Sequence, residues 1–255
     1  MLNIVVPMAG RGSRFSKEGY SLPKPLINVH SVPMIRLVIE NIRPSHCDHR
    51  FIFLTLQEHI EKYSVAEKLK TWAGSNTIIV PVDQVTEGAA CTVLLAKKHI
   101  DNKDPLMIAN SDQWVDFNAN DYIKTMDDRS LDGLIMTMKA NDPKWSFVKL
   151  NSNNLVTDVV EKVVVSDEAS VGIYNFKRGS DFVMGAERMI AMNKRTNNEF
   201  YVAPVYNELI AQGQKIGIYN VGTDVSGMYG LGTPEDLNRF LSINKSKDAI
   251  RNLEV

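Results

Sequence analysis

An alternation of apolar runs with amphipathic segments over the first 110 residues constrains the fold more than any other feature. Apolar and amphipathic segments take turns in the order 3–8, 32–42, 50–56, 57–74, 76–82, 88–100 and 104–110. The apolar runs have the length of strands buried on both faces, and the segments between them have helical spacing. The pattern therefore predicts a parallel sheet with helices on both faces.

The pattern changes after residue 130, where strand-like runs follow one another directly. In order, we expect strands at 131–140, 146–153, 155–165 and 169–177, helices at 180–193 and 203–212, a strand at 215–221 and a helix at 234–241. No Gly/Ser linker or repeat divides the chain. We expect a single α/β domain over residues 1–242, with a mixed, mostly parallel sheet, an antiparallel elaboration in the second half, and a polar tail at 243–255 that frays.

Charge and cysteine content exclude several classes of protein. The formal net charge is −1, which gives no global field for nucleic acid or an acidic membrane. Cys47 and Cys91 have no metal-ligand spacing and are expected to be ordinary thiols. The N-terminal apolar run is too short for a signal peptide or a membrane span. We expect a cytoplasmic protein without nucleic-acid or membrane partners, and a homo-oligomer is left open.

The first predicted strand leads directly into a glycine-rich, cationic loop, MAGRGSRF. Ligands of open α/β sheets bind beyond the carboxyl ends of the strands. Gly10 and Gly12 allow a sharp turn that presents backbone N–H groups. Nearby cations outnumber the single acid Glu18; they are Arg11, Arg14, Lys17 and Lys24. The loop predicts an anion site, and the alternative is a surface turn with solvated charges.

Two common nucleotide-binding motifs are absent from this loop. A P-loop requires G-x-x-x-x-G-K-[ST], which does not occur, and a dinucleotide fingerprint requires a glycine where Phe15 stands. The run from Gly10 to Phe15, followed by PKPL at residues 23–26, instead resembles the signature of the sugar-phosphate nucleotidyltransferases. That resemblance implies a Rossmann-like fold of the GT-A type. It also implies a loop that wraps a nucleoside triphosphate.

The resemblance assigns roles to residues of this loop and of the next strand ends. Arg14 and Lys24 become catalytic clamps on the phosphates, and Arg11 a contact to the departing pyrophosphate. The implied nucleotide-binding residues are Ala9, Gly10, Arg11, Gly12, Ser13, Gln84, Thr86, Gly88 and Ala89. Read without the resemblance, the segment around Gly88 is a glycine-assisted helix start. Gly88 and Ala89 would lie at the base, with Gln84 and Thr86 as further contacts.

Asp112 follows the fourth apolar run, where an ionised carboxylate is costly unless it is paired or bound to metal. The family has a Mg²⁺-binding aspartate at this point, and a hard oxygen ligand suits Mg²⁺. The alternative is a helix N-cap or an Asx-turn. The resemblance therefore implies Mg²⁺ as the cofactor.

Segments in the second half resemble the family's acceptor-binding motifs. The implied acceptor-binding residues are Trp145, Ser146, Glu161, Lys162, Gly172 and, more weakly, Glu199 and Tyr201. Glu161 would hydrogen-bond the acceptor and Lys162 would hold its phosphate. A Glu-Lys pair is also a common surface ion pair, and Tyr201 also suits core packing.

The sequence departs from the family pattern near its end. In the segment YGLGTPEDL, Gly230 stands where the family has a second metal-binding aspartate. Asp224 is a candidate replacement, but no spacing supports it. Thr233 caps the predicted helix that follows, and the two acids after it suit the helix N-terminus.

The resemblance implies transfer of a nucleoside monophosphate from an NTP to a phosphorylated acceptor, with release of pyrophosphate. Several segments are closest to a capsule-locus subgroup that includes a CTP:phosphoglutamine cytidylyltransferase. The acceptor stays open between a sugar 1-phosphate and a phosphoramidate such as phosphoglutamine, with a mild preference for CTP. The alternatives are a GT-A glycosyltransferase, for which the usual D-x-D is missing at residues 111–113, and an inactive nucleotide-binding regulator, suggested by Gly230.

Overall fold

Four parallel strands form the half of the sheet that the alternating pattern predicts. The computed structural model describes residues 1–253. Strand β1, Leu2–Pro7, lies between β4, His49–Leu56, and β6, Leu106–Ala109, and β5, Ile78–Val82, extends the sheet beyond β4. All three strand pairs are parallel. β1, β4 and β6 are almost wholly buried because helices cover both faces of the sheet.

The rest of the sheet is mixed, as expected. Its strands are β7 Gln113–Val115, β8 Gly133–Lys139, β9 Ser146–Leu150, β10 Val156–Glu161, β11 Glu168–Phe176, β12 Ile216–Asp224 and β13 Gly227–Gly230. The order across the sheet is β5-β4-β1-β6-β11-β8-β12-β13-β7, and β9 and β10 form a hairpin beside β11. β11 is antiparallel to both of its long neighbours, β6 and β8. A separate pair, β2 Asn28–Val29 and β3 Val32–Pro33, lies outside this sheet.

Helices pack on both faces of the sheet. In chain order they are α1 Ser13–Lys17, α2 Met34–Ile42, α3 Gln57–Tyr63, α4 Val65–Ala73, α5 Ala89–Leu94, α6 Lys97–Ile100, α7 Ala119–Asp128, α8 Gly179–Ala191, α9 Val205–Ile210, α10 Pro234–Leu241 and α11 Asn244–Ile250. Apolar residues of α2, α4 and α7 pack with Ile4 and Val6 on one face. Those of α5, α6, α8 and α9 pack with Val5 on the other, because successive strand residues point to opposite faces.

The structure differs from the expected elements in several places. The helix expected over 57–74 is two helices, because Ser64 adopts a left-handed φ of 51° between them. The strand expected over 155–165 ends at Glu161, since Lys162 is also left-handed with a φ of 58°. Helix α7 and the short strands β7 and β13 were not expected.

The C-terminal segment that we expected to fray forms helix α11 instead. Ile250 is 4% exposed and joins a third apolar cluster with Phe15, Trp114 and Phe240. His30 Nε2 also lies 2.8 Å from Ser246 Oγ. The expectation of fraying is therefore wrong for residues 244–250, because one buried apolar side chain anchors an otherwise polar helix. The division of the chain at residue 242 stays a prediction.

Two further expectations concern thiols and membrane spans. Cys47 and Cys91 are both free thiols, as expected. Across residues 1–253, no helix combines the length and the apolar character that a membrane span requires.

Candidate functional site

Two adjoining cavities open where β1 and β6 end. The larger has a volume of about 640 Å³ and the smaller about 200 Å³. Asn110, Lys144 and Trp145 line both, so these three residues form the wall between them. The larger cavity is lined further by Arg14, Asp112, Gln113, Lys162, Asp224, Met228, Gly230, Gly232, Thr233, Glu235, Asp236 and Arg239. The smaller is lined further by Ala89, Ser146, Glu161, Ser170, Val171, Gly172, Tyr174, Tyr201 and Val202.

The glycine-rich loop turns sharply at the rim of the larger cavity. Gly12 has a left-handed φ of 61°, and a Cβ there would lie 3.1 Å from Lys24 Cβ, so a side chain would press the loop away from Lys24. Phe15 is buried in the third apolar cluster and holds the loop in place. The backbone N–H groups of residues 10–12 donate to no acceptor within the described chain. Such free N–H groups are suited to phosphate oxygens.

Most of the cations near this loop have no partner in the protein and can meet an anion. Arg11 and Arg14 are exposed, and within residues 1–253 neither guanidinium has an ion-pair or hydrogen-bond partner. Lys24 differs, since its Nζ lies 2.7 Å from Asp112 Oδ2. Lys17 is likewise exposed and has no partner for its ammonium within residues 1–253, so three of the four cations are unpaired and one is paired.

The environment of Asp112 fits a cation that arrives with phosphates better than a metal ion held by protein ligands alone. A Cβ on Gly232 would lie 2.9 Å from Asp112 Oδ2, so the bare glycine leaves room for the carboxylate. Among the described residues, no group of three or more His, Cys, Asp or Glu side chains could hold a metal ion. Mg²⁺ usually takes one or two carboxylates and completes its shell with phosphates and waters.

The carboxylate beside Gly230 belongs to Asp236 and not to Asp224. A Cβ on Gly230 would lie 3.6 Å from Asp236 Cγ. Thr233 caps α10, as predicted, and its Oγ1 also donates to Asp236 Oδ2 at 2.8 Å. Arg239 Nη2 lies 3.3 Å from Asp224 Oδ1 and from Asp236 Oδ1, so one guanidinium is shared between the two acids. A second metal ligand at Asp224 stays a prediction.

Glu161 lies on the inner wall of the smaller cavity. Ser146 Oγ donates a hydrogen bond to its Oε2, and both residues are buried. Burial raises the pKa of the Glu161 carboxyl, while the Ser146 hydroxyl and the Lys162 ammonium act in the opposite direction. The alternative of an exposed Glu-Lys ion pair at the surface therefore does not apply to Glu161, which is buried.

Lys162, which lines the larger cavity, contacts Tyr201, which lines the smaller one. Its Nζ donates to the Tyr201 hydroxyl at 2.6 Å and lies 4.8 Å from the centre of the tyrosine ring. This hydrogen bond is the main cause that raises the pKa of Lys162; partial burial acts in the opposite direction, and the charges of Tyr201, Glu161 and Glu199 raise the pKa further. Tyr201 is only partly buried and its hydroxyl is engaged, so it is more than a core side chain.

The backbone at Gly88 packs against Phe200, the residue that precedes Tyr201. Gly88 has a φ of 131°, and a Cβ there would lie 2.5 Å from the carbonyl oxygen of Phe200. The N–H of Phe200 donates to the Glu87 carbonyl at 2.9 Å, and the N–H of Ala90 donates to the Phe200 carbonyl at 3.0 Å. The segment before Tyr201 therefore lies directly against this glycine.

Some expected site residues do not line either cavity. Gln84 and Glu199 are exposed outside both linings, and the Thr86 hydroxyl is engaged by the Gly88 carbonyl at 2.9 Å and by Thr92 Oγ1 at 2.7 Å. Ala89 lines the smaller cavity, on the side expected for the acceptor. Sequence reasoning missed Asn110, Gln113 and Lys144. The sequence did contain a signal for them, because Asn110 and Gln113 flank Asp112 within one motif and Lys144 directly precedes Trp145 in another.

Known proteins resemble this chain along most of its length. The mannose-1-phosphate guanylyltransferase catalytic subunit beta of Drosophila melanogaster is 25% identical over 178 residues, which cover 68% of this chain and 47% of that protein. The bifunctional protein GlmU of Methanococcus maripaludis is 23% identical, over 98% of this chain and 58% of that protein. The chain thus spans about half the length of these relatives.

Solved structures share the fold. The nucleoside-diphosphate-sugar pyrophosphorylase from Vibrio cholerae RC9 superposes with a TM-score of 0.78 at 26% identity, covering 94% of this chain and all of that one. The inositol-1-phosphate CTP transferase from T. maritima superposes with a TM-score of 0.71 at 12% identity, covering 98% of this chain and 95% of that one. The α/β fold expected from the sequence is confirmed, with its mixed sheet flanked by helices. The profile of the family described as "Nucleotidyl transferase" matches residues 4–218, and the chain therefore belongs to that family.

Proposed function

We propose that this protein transfers a nucleoside monophosphate from an NTP to a phosphorylated small-molecule acceptor and releases pyrophosphate. One observation carries the proposal: a cavity lined by the unpaired Arg14 shares lining residues with a smaller cavity that holds the buried carboxylate of Glu161. The larger cavity, beside the glycine-rich loop, suits a triphosphate, and the smaller cavity suits the body of the acceptor. Family membership supports the same reaction.

In the proposed reaction, an oxygen of the acceptor phosphate forms a bond to the α-phosphorus of the NTP. The bond from that phosphorus to the bridging oxygen of pyrophosphate breaks, and the electron pair leaves with pyrophosphate. Arg14 and Lys24 would bind the nucleotide phosphates, and Lys162 would bind the acceptor phosphate. Both reactants are anionic, so these cations would position them and offset their charge. Asp112 would hold Mg²⁺ together with phosphate oxygens, which supplies further charge neutralisation. No general base is required, since the acceptor phosphate is already ionised near neutral pH.

For the acceptor, we propose a sugar 1-phosphate first and a phosphoramidate such as phosphoglutamine second. The guanylyltransferase relative is named for mannose 1-phosphate, and the T. maritima neighbour for inositol 1-phosphate and CTP. These names support a phosphorylated polyol as the acceptor. The mild preference for CTP as the nucleotide is kept. Likeness of several motifs to a capsule-locus subgroup supports a role in capsule or surface polysaccharide synthesis.

The proposal is tested by pyrophosphate release with Mg²⁺, each of the four NTPs and dTTP, and four acceptors. The acceptors are mannose 1-phosphate, glucose 1-phosphate, inositol 1-phosphate and phosphoglutamine. Release that requires one nucleotide and one acceptor together supports the proposal and identifies both substrates. NTP binding by calorimetry without release in any combination would contradict it and favour the regulator.

The glycosyltransferase alternative is tested with the same preparation. A glycosyltransferase uses a finished nucleotide sugar and has no use for free cations that meet a triphosphate. Release of a nucleoside diphosphate from UDP-glucose, GDP-mannose or CDP-glucose in the presence of a sugar acceptor, with no pyrophosphate from any NTP, would favour it over the transferase.

A further inference from the structure

The backbone at Lys162 departs from the strand that precedes it. Consecutive residues of a strand point to opposite faces of a sheet, yet Glu161 lines the smaller cavity and Lys162 lines the larger cavity that adjoins it. Lys162 has a left-handed φ of 58°, and its N–H donates to the Trp145 carbonyl at 3.0 Å. Left-handed backbone is uncommon outside glycine and recurs at functional sites. The turn therefore keeps the lysine at the site, next to the residue that supplies the buried carboxylate.

Tyr201 fixes the far end of this side chain. A lysine has a flexible four-carbon stem, so the backbone alone does not determine where its ammonium lies. The Lys162 Nζ donates to the Tyr201 hydroxyl at 2.6 Å and lies 4.8 Å from the centre of the ring. Tyr201 follows Phe200, which is 1% exposed and whose N–H and carbonyl both make backbone hydrogen bonds. The tyrosine is thus attached to a fixed point and can hold the ammonium in one place.

The partner that holds Lys162 is uncharged. Within residues 1–253 no carboxylate forms an ion pair with the Lys162 ammonium, whereas Asp112 pairs with Lys24 at 2.7 Å. A phenol that accepts one hydrogen bond leaves the lysine its full charge, and two of the three N–H donors of an ammonium remain. An anion can therefore bind Lys162 without first displacing a carboxylate.

We propose that Tyr201 is a positioning residue, which holds the Lys162 ammonium where its remaining N–H donors meet the acceptor phosphate. The proposal rests on the proposed function. Tyr201 lines the smaller cavity and Lys162 the larger one, so their hydrogen bond spans the boundary between the two. This role replaces a direct contact between Tyr201 and the acceptor, because the phenol oxygen is engaged by the lysine.

The first test observes Lys162 itself by ¹³C–¹H NMR, in protein labelled with ¹³C at the lysine Cε. The Lys162 signal is the one that disappears in Lys162→Met. Inorganic phosphate and mannose 1-phosphate should shift it in the wild type, and mannose should not. Tyr201→Phe keeps the ring and removes the hydroxyl. It should weaken phosphate binding about two- to tenfold, because the lysine then loses its side-chain freedom only on binding.

Tyr219→Phe is the matched control for this loss of a hydroxyl. Tyr219 is half-buried on β12, lines neither cavity, and its hydroxyl makes no hydrogen bond within residues 1–253. Phosphate binding should be the same in Tyr219→Phe as in the wild type. A Lys162 signal that neither inorganic phosphate nor mannose 1-phosphate shifts in the wild type would overturn the proposal.

The pH dependence of the same signal tests the hydrogen bond. The bond to Tyr201 is the main cause that raises the pKa of Lys162 above its ordinary value of 10.5; partial burial lowers this pKa, and the charges of Tyr201, Glu161 and Glu199 raise it. Tyr201→Phe should therefore lower the pKa of Lys162, so that the ammonium loses its proton at a lower pH than in the wild type. An unchanged pKa would contradict the contact.

A double-mutant cycle separates positioning from direct binding. It combines Tyr201→Phe with Lys162→Met, and phosphate binding is measured from the backbone N–H signal of residue 162, which all four proteins retain. If Tyr201 acts through Lys162, Tyr201→Phe weakens binding in the wild-type background and has little effect in Lys162→Met. Equal losses in both backgrounds would show that Tyr201 acts on phosphate independently and would refute the positioning role.

This proposal and the proposed function can fail separately. A phosphate-induced shift of Lys162 that depends on Tyr201, without pyrophosphate release from any pair of substrates, would refute the transferase and retain the positioning role. Pyrophosphate release with equal kinetics in Tyr201→Phe and the wild type would retain the transferase and refute the positioning role.

Discussion

At the scale of single residues, the ion pair between Lys24 and Asp112 determines which side chains must change partners when ligands bind. The two charges neutralise each other at 2.7 Å, while the guanidinium groups of Arg11 and Arg14 are free. If Lys24 is to bind phosphate and Asp112 is to bind Mg²⁺, both must exchange this partner. The free arginines need no such exchange, so we expect them to make the first contact with the triphosphate.

Arg14→Ala tests that expectation. Loss of a charge that bears on the reacting phosphates should lower kcat/KM by about 100-fold or more. Thermal unfolding should be unchanged, because the side chain is exposed and has no partner within the described chain. Arg251→Ala, which removes an exposed arginine on the C-terminal segment, is the control. Near-normal kcat/KM in Arg14→Ala would refute its role as a phosphate clamp.

Glu161→Gln tests the cost of the buried carboxylate through the pH dependence of stability. Folding raises the pKa of Glu161 above its ordinary value of 4.5, so the native state binds this proton more tightly than the unfolded chain. The stability that comes from protonation is present below that ordinary value and is lost as pH rises through the raised pKa. The variant should therefore gain free energy of unfolding relative to wild type between pH 4 and pH 7.

Urea unfolding at several pH values measures this difference. Glu18→Gln, at an exposed position, should show no such trend. A difference between Glu161→Gln and wild type that stays constant with pH would contradict the burial of an ionised carboxylate.

At the scale of secondary structure, long elements were predictable and short ones were not. The apolar runs gave the central strands, because burial on both faces leaves an unmistakable pattern. β7 and β13 span three and four residues, too few for any periodicity, and only their pairing opposes Gln113 to Gly230. For this reason the pairing of Gln113 with Gly230 could not be found from the sequence.

Helix α7 was missed for a different reason. Its buried residues are Ala119, Tyr122 and Met126, spread among charged and polar side chains. A capping signal was nevertheless present, since the Asn118 side chain accepts from the backbone N–H groups of Asn120 and Asp121. Attention to N-caps as well as to apolar spacing would have found this helix.

Gly88→Ala tests the turn that joins α5 to the segment before Tyr201. A methyl group would lie 2.5 Å from the Phe200 carbonyl oxygen at a φ of 131°, so we expect a loss of about 2–4 kcal/mol in the free energy of unfolding. Gly10→Ala is the matched control. A Cβ on Gly10 meets nothing within 4 Å, and its stability should change by less than about 0.5 kcal/mol. Equal stability of the two variants would contradict the close contact at Gly88.

At the scale of the whole molecule, a nearly neutral chain concentrates free positive charge at one edge of its sheet. Formal charges sum to −1, yet the loop after β1 carries cations without partners within residues 1–253. The sequence revealed this local excess and the strand end at which it lies. It did not reveal that Gln84 and Glu199 are outside both cavity linings, because loop direction depends on contacts distant in sequence.

Ligand-induced stabilisation tests the site in the intact protein. A ligand at 100 times its Kd stabilises the native state by about 2.7 kcal/mol, which corresponds to a rise in Tm of roughly 5–10 °C for a chain of this size. We expect the preferred NTP to give this rise with Mg²⁺ and a smaller one with EDTA. Asp112→Asn should lose the difference between the two conditions. If it kept that difference, the metal would be bound elsewhere.

Different segments of the chain form the nucleotide loop and the smaller cavity, and this separation has an evolutionary consequence. The glycine-rich loop follows β1, whereas Ser146 and Glu161 come from the β9–β10 hairpin and Gly172 from β11. Mutations in that hairpin can reshape the smaller cavity without altering the backbone that turns at Gly12. A lineage built on this architecture could therefore diversify its acceptors while inheriting its way of activating nucleotides, and exchange of the hairpin between relatives would be a direct route to new products.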